Sequence, residues 1–148
     1  MKILRYALAT VIGLFVLGMI AFFFMGMQSA SGSAPGLVDG RLTDCPSSPN
    51  CVSSEAGTAE DQAVAALPAE VWSRLPALIA EMGGEVTSEE ATYLSAEFTS
   101  SLFRFVDDIE FRLTETGIMV RSASRVGYSD AGVNSARVED IRAKLAAN

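Results

Sequence analysis

The sequence predicts an α+β protein: one N-terminal transmembrane helix, then a small two-layer sandwich in which a four-stranded, mainly antiparallel sheet packs against two helices. Three observations predict this fold. Residues 7–27 are apolar and uncharged, helical periodicity appears at residues 71–82 and 138–145, and strand-like segments lie between the last two. The chain therefore reads as a membrane-tethered protein with a single modest core.

We expect three parts along the chain. These are a transmembrane anchor at residues 1–27, a flexible linker at residues 28–43, rich in Ser, Gly and Ala, and an extracytoplasmic α+β domain at residues 44–148. The formal net charge is −7, with 11 basic and 18 acidic side chains. Lys2 and Arg5 precede the apolar stretch, so the rest of the chain is more acidic still. Such a domain repels polyphosphate, which disfavours nucleic-acid binding.

The apolar stretch at residues 7–27 predicts the anchor. At about 1.5 Å per residue, a helix of this length reaches across the roughly 30 Å hydrocarbon core of a bilayer. It exceeds the usual signal-peptide core of about 7–15 residues, so we expect it to be retained; cleavage near Ala30 is the alternative. Lys2 and Arg5 orient the N-terminus to the cytoplasm and the domain to the periplasm. The sequence thus predicts a single-pass inner-membrane protein that contacts the lipid bilayer.

Ala9 and Gly13 lie one helical turn apart and form a small-xxx-small pair within the anchor. Small residues let a second helix approach closely. Two interpretations stay open, a helix that touches only lipid and a helix that docks on a larger membrane protein complex through this face.

Cys45 and Cys51 are separated by five residues that include Pro46 and Pro49. In an exported chain this pattern predicts an intrachain disulfide. The spacing is not Cys-x-x-Cys and the chain has no histidine, which argues against a redox pair and against a zinc site. We therefore expect no metal and no cofactor.

Two helices and two strands flank the centre of the domain. Apolar residues recur with helical spacing at residues 71–82, where Pro76 predicts a kink or a helix that begins at Pro76. Residues 85–88 and 92–99 read as strands. At the C-terminus, Val138, Ile141 and Leu145 recur at helical spacing. We expect Asn134 to be the N-cap of that last helix.

The stretch at residues 101–130 predicts a β-hairpin with its turn at residues 114–117. Successive strand side chains point to opposite faces, so one face is apolar and the other is charged. The apolar face carries Phe103, Phe105, Ile109, Phe111 and Leu113. We expect that face to be a core wall and the charged face to be wet or functional. Asp107 interrupts the apolar face, so a buried carboxylate there needs hydrogen-bond donors or a cationic partner, or must protonate. Alternatively, the strand is bulged and Asp107 escapes into a loop.

The charged face of the hairpin forms a lattice if Leu113 faces Ile118, because that register sets Glu110 opposite Arg121. The lattice contains Asp108, Glu110, Arg112, Arg121 and Arg125. One interpretation is solvated ion pairing, in which each pair contributes about 0.2–1 kcal/mol. The other is a ligand or partner surface where arginines bind an acidic group. The candidate residues for that surface are Asp108, Glu110, Arg121, Arg125, Ser129, Asp130 and Asn134.

Three motifs carry a family resemblance. CPSSPNCVSS at residues 45–54, FRFVDDIEF at 103–111 and RSASRVGYSDAGVN at 121–134 resemble the motifs of the bacterial and plastid family called domain of unknown function 1499. The resemblance implies a small exported or membrane-tethered domain and brings no established activity. Two departures weaken any anion site of the family: no histidine follows the cysteine motif, and Ser135-Ala136 separate the last motif from Arg137.

Catalysis is disfavoured by the residues themselves. The chain lacks histidine, the commonest general base, and Arg121 opposite Glu110 would hold that carboxylate ionised. We therefore predict a non-enzymatic, membrane-anchored accessory or assembly subunit of a larger membrane protein complex. The alternative is a periplasmic module that binds a small anionic ligand through Arg121 and Arg125.

Overall fold

The computed structural model describes residues 2–147 and confirms an α+β fold with an apolar N-terminal helix. The helices are α1 (Lys2–Ser29), α2 (Leu75–Glu81) and α3 (Val133–Ala147). The strands are β1 (Leu37–Val38), β2 (Arg41–Leu42), β3 (Cys51–Ser53), β4 (Glu85–Glu89), β5 (Tyr93–Thr99), β6 (Val106–Thr114) and β7 (Gly117–Ser124). Short 3₁₀ helices occur at Glu60–Gln62 and Ala69–Arg74.

The main sheet has five strands in the order β3-β7-β6-β5-β4, and β1 and β2 pair in a separate two-stranded sheet. The prediction of four strands is therefore wrong. The strand that the sequence did not indicate is β3, which pairs antiparallel with β7 directly after the cysteine motif. Three residues are too few for an alternating pattern to stand out. Cys45 and Cys51 form the predicted disulfide, so β3 begins at the bridge itself.

The hydrophobic core lies between one face of the main sheet and the helices α2 and α3. It is built from Leu75, Ile79, Leu94, Ile109, Phe111, Ile118, Val120, Val138 and Ile141. The predicted break at Pro76 is confirmed, because a 3₁₀ helix ends at Arg74 and Pro76 lies in the first turn of α2. There the missing proline N–H removes no helical hydrogen bond.

The start of α3 differs from the prediction that Asn134 is its N-cap. The helix begins at Val133, so Asn134 lies within the first turn. The carboxylate of Asp130 accepts the backbone N–H of Asn134 at 2.7 Å and that of Gly132 at 3.0 Å. Asp130 therefore satisfies one of the free N–H donors in the first turn of α3 and one just before it.

The predicted register of the β6–β7 hairpin is confirmed, since Glu110 lies opposite Arg121. The strand starts only at Val106, however, so Phe103 and Phe105 are not part of the core wall. Arg104 has a positive φ of 61°, a conformation that ends an extended strand. Instead, both phenylalanine rings contact α1.

α1 is long and apolar enough to span a membrane, and its last turns pack against the sheet domain. The Phe22 ring lies 5.2 Å from that of Phe103 and 6.1 Å from that of Phe105, measured between centroids. Ser29 is 1 % exposed, and its Oγ accepts the backbone N–H of Val106 at 3.0 Å. The helix end is thus fixed to the start of β6.

Residues 28–43, predicted as a flexible linker, carry β1 and β2 and lie against the second face of the main sheet. Leu42 is 2 % exposed, and the backbone N–H of Gly36 donates to the Glu110 carboxylate at 2.9 Å. We call residues 28–43, together with Glu55 from the loop after β3, the strap. The charged face of the sheet, expected to be wet or functional, is buried beneath it.

Candidate functional site

The charged face of β5, β6 and β7, together with the strap, forms a largely buried set of ion pairs that we call the ionic layer. Its members are Arg41, Glu55, Glu97, Asp108, Glu110, Arg112, Arg121 and Arg125. β-strand alternation places the sheet residues on one face, because each lies an even number of positions from its neighbours along the strand. The strap supplies the opposite wall.

Arg125 binds three elements at once. Its Nε and Nη2 donate to the two carboxylate oxygens of Asp108 at 2.8 and 2.7 Å, a bidentate pair. Nη2 also donates to Glu97, and Nη1 donates to the backbone carbonyl of Ser29 at 3.1 Å. The hydrogen bond with Asp108 raises the pKa of the Arg125 guanidinium above its usual range. The side chain is only 7 % exposed, so Arg125 links α1 to β5 and β6.

Glu110 lies at the centre of the ionic layer and is fully buried. Its Oε1 accepts the Tyr93 hydroxyl at 2.8 Å and the Gly36 N–H at 2.9 Å, and its Oε2 accepts Arg121 Nη1 at 3.2 Å. The expectation that Arg121 would hold the Glu110 carboxylate ionised is wrong in direction, because burial raises the pKa of this carboxyl, and the Tyr93 hydrogen bond and the Arg121 charge oppose that rise only in part. Burial and the contact with Glu110 also raise the pKa of the Tyr93 hydroxyl far above its ordinary value. Glu110 therefore holds the strap to the sheet through the Gly36 N–H.

Glu55 closes the other end of the ionic layer. Its Oε1 accepts the Arg112 Nε and Nη2 donors at 2.9 and 2.7 Å, and it also accepts the backbone N–H of Leu42 at 3.2 Å. Arg41 Nε lies 3.4 Å from the second carboxylate oxygen. One carboxylate from the strap therefore joins β2 to β6.

The ionic layer is internally neutral, since it holds four arginines and the four carboxylates that accept from them. Anion recognition by arginine needs donors that are free to face the ligand. The donors of Arg125 point to oxygens of this chain, although the Nε of Arg121 is buried without a hydrogen-bond partner among residues 2–147. Within the same residues, no three Cys, Asp or Glu side chains are placed to share a metal ion. These contacts weigh against the anion-binding alternative.

A second polar cluster lies on the core face of the sheet, around Asn134. This side chain is fully buried, and its Oδ1 accepts Ser122 Oγ and Arg137 Nη1, both at 2.6 Å. Its Nδ2 donates to the backbone carbonyl of Asn50 at 3.2 Å. Because Asn50 immediately precedes Cys51, Asn134 ties α3 to the disulfide loop.

Asp107 pairs with a cation, one of the alternatives that the sequence left open. Arg137 Nη2 lies 2.7 Å from its carboxylate, and the guanidinium also sits 4.6 Å from the centre of the Phe98 ring. The pairing of β6 with both neighbours runs through Asp107 without a bulge. A partly buried carboxylate on the apolar face is therefore neutralised by a cation from α3.

The seven candidate surface residues divide between two faces. Asp108, Glu110, Arg121 and Arg125 meet in the ionic layer. Asn134 and Asp130 lie on the helix-covered side, and Ser129 is in a turn where its hydroxyl accepts the Ala131 N–H at 3.2 Å. The predicted surface is thus two separate polar clusters. On α1, Ala9 and Gly13 are exposed, and a Cβ at Gly13 would meet no atom of the described residues within 4 Å.

Sequence reasoning missed six residues that complete the ionic layer. They are Ser29, Gly36, Arg41, Glu55, Tyr93 and Glu97. Two of them carried a usable signal, because Tyr93 and Glu97 alternate with apolar residues and so fall on the charged face of β5. The four strap residues carry no periodicity that would bring them to the sheet.

A cavity of about 210 Å³ lies where α1 meets the sheet domain. Its apolar lining includes Phe22, Met25, Phe105, Val126 and Val133. Asp107 and Asp130 also line it, but the first is paired with Arg137 and the second caps α3. The junction between helix and domain is therefore mostly apolar.

Comparison with known proteins gives one match. The family described as "Protein of unknown function (DUF1499)" matches residues 41–145. The searches of curated proteins and of solved structures each gave no match. The match covers more than half of the chain and includes the disulfide, the main sheet and most of α3. The chain therefore belongs to the DUF1499 family.

Proposed function

We propose that the protein is a non-enzymatic, membrane-anchored accessory or assembly subunit of a larger membrane protein complex. In this proposal α1 crosses the inner membrane with its N-terminus in the cytoplasm, and the sheet domain lies in the periplasm. The observation that carries the proposal is the join between α1 and the domain. Gly26, Ser29 and Arg125 hold the helix end directly against the sheet, without a free linker.

Such a join supports a subunit whose role is to hold its domain at a fixed position relative to the membrane. A domain on a flexible linker samples many orientations, whereas one fixed to its anchor presents a constant face at a constant height above the bilayer. The rest of α1 is exposed along its length and free to contact lipid or other helices.

Two further observations support the proposed location. Lys2 and Arg5 precede the apolar stretch, as expected for a cytoplasmic N-terminus. The Cys45–Cys51 disulfide is typical of an oxidising compartment such as the periplasm.

The neutral ionic layer supports a structural use of the charged residues, since their hydrogen-bond donors and acceptors pair with one another.

Co-purification from native membranes in mild detergent tests the proposal. We expect the tagged full-length chain to elute with other membrane proteins at a mass well above that of the 15.7 kDa monomer plus its micelle. Gly13→Leu should reduce that association, because it adds bulk to the predicted helix-docking face. Gly18→Leu is the matched control, since 140° of helix separates the two positions (at about 100° per residue) and neither Cβ would meet a described atom within 4 Å. A wild-type chain that elutes only as a monomer would refute the proposal.

A further inference from the structure

The loop between β5 and β6, residues 100–105, places apolar side chains beside α1. Leu102 is 70 % exposed, whereas Phe103 and Phe105 are partly buried against Phe22. An exposed leucine beside two aromatic rings is an unusual tip for a loop of a water-soluble domain.

The loop and α1 enclose an apolar groove of about 310 Å³. It is lined by Val16, Met19, Ile20, Phe23, Leu102 and Phe103. None of these side chains carries a polar group that would fix a polar ligand. The groove suits a hydrocarbon chain.

The position of the groove along α1 sets its depth in the bilayer. This step rests on the proposed function, in which α1 crosses the membrane. The lining residues of α1 lie 4 to 11 positions before Met27, where the uncharged stretch ends. At about 1.5 Å per residue, they lie roughly 6–16 Å below that end. A bilayer that holds α1 therefore brings acyl chains to the groove without any dedicated partner.

The loop backbone is suited to the boundary between headgroups and acyl chains. The Ser100 N–H donates to the Phe105 carbonyl at 2.8 Å, and the Phe105 N–H donates to Ser100 Oγ at 2.9 Å. These bonds reduce the number of backbone groups that lipid would leave unpaired. Arg104 is exposed in the same loop, and a long basic side chain at this depth reaches back to lipid phosphates.

We propose that residues 100–105 are a second membrane contact of this chain. Leu102 and Phe103 insert into the outer leaflet beside α1, and the groove holds a lipid acyl chain. The domain then rests on the bilayer at two points, which fixes its tilt as well as its height.

Depth-dependent quenching of single tryptophans in nanodiscs tests this contact. The background is full-length protein with Trp72→Phe, and the probes are Leu102→Trp, Phe15→Trp within α1, and Ala91→Trp. Ala91 is the matched control, because it is exposed beyond the other end of β5, a strand that spans about 20 Å by strand rise. With lipids that carry a nitroxide on the acyl chain, we expect at least twofold quenching at residues 15 and 102 and none above background at residue 91.

The probes separate the two ways in which the proposal could be wrong. If residue 15 is quenched and residue 102 behaves like residue 91, the loop contact with lipid is refuted. The apolar groove would then be assigned to a helix of another membrane protein. If residue 15 is not quenched, the anchor and the proposed function fail together. Photoactivatable lipid cross-linked to the unmodified chain gives an independent reading, in which adducts on α1 without adducts at residues 100–105 would also overturn the loop contact.

Discussion

Gly26 packs tightly against the backbone of the sheet domain, and its replacement by alanine should loosen the join between α1 and the domain. A Cβ at this position would lie 1.7 Å from the carbonyl oxygen of Phe103. An unstrained carbon to oxygen contact needs about 3.3 Å. Gly26→Ala must therefore move the helix and the loop apart by about 1.6 Å, or α1 must leave the domain.

The structure sets the size of the effect. The Val106 N–H donates to Ser29 Oγ at 3.0 Å, and Arg125 donates to the Ser29 carbonyl at 3.1 Å, both within one turn of Gly26. A buried donor that loses its partner costs about 1–3 kcal/mol, and an aromatic contact such as that of Phe22 adds about 0.5–1.5 kcal/mol. We expect the join to weaken by about 2–4 kcal/mol, which is at least a 30-fold change in its equilibrium.

Hydrogen exchange at the Val106 amide measures this change directly. In full-length protein in nanodiscs, Gly26→Ala should accelerate exchange at Val106 at least 30-fold. Gly18→Ala is the control, because it gives the same gain in helix propensity while its Cβ would meet no described atom within 4 Å. Equal exchange in the two variants would refute the join between α1 and the domain.

Three further predictions concern the sheet domain. Arg125→Met removes the cation that buried carboxylates share, so the free energy of unfolding in urea should fall by about 3–5 kcal/mol; a loss below about 1 kcal/mol would contradict the ionic layer. Burial raises the pKa of Glu110 above 4.5, so just above that pH the folded state still holds a proton that the unfolded state has lost. As the pH rises further, the free energy of unfolding of the wild type should therefore fall relative to that of Glu110→Gln. Parallel curves of unfolding free energy against pH for the two proteins would count against this reasoning. Reducing the Cys45–Cys51 bond opens the short loop that it closes, which has a sequence separation of 6, and should lower the free energy of unfolding by about 2 kcal/mol in the same titration. No loss of stability on reduction would argue against the stabilising role of the bond.

The hairpin could be predicted from sequence because its information is local. Alternation gives the two faces, and the turn at residues 114–117 gives the register that pairs Glu110 with Arg121. The same reasoning required a partner or a bulge for Asp107, and Arg137 is that partner. It could not place Phe103 and Phe105, because one residue with positive φ ends the strand that their spacing suggests.

Burial of the charged face could not be predicted in the same way. Alternation tells which side chains share a face, but not whether another segment covers that face. The cover is the strap, whose Gly36 donates to Glu110 across 74 positions of sequence. Its composition is that of a linker, and Leu42 is its one buried aliphatic side chain between residues 28 and 50. The strap therefore differs from a linker because of its contacts with carboxylates that lie far away in the sequence, and its own composition does not reveal them.

A buried and neutral set of ion pairs is a poor source of stability, since apolar residues of similar volume often serve as well. Its effect on geometry is stronger, because charges without their partners are costly to bury and each pair admits few arrangements. Here those arrangements fix two segments, the strap through Glu110 and Glu55, and the end of α1 through Arg125. The charged residues therefore set the angle between anchor and domain. A subunit that acts by its position in a membrane complex depends on that angle, so we expect substitutions in the ionic layer to impair assembly even where the domain still folds.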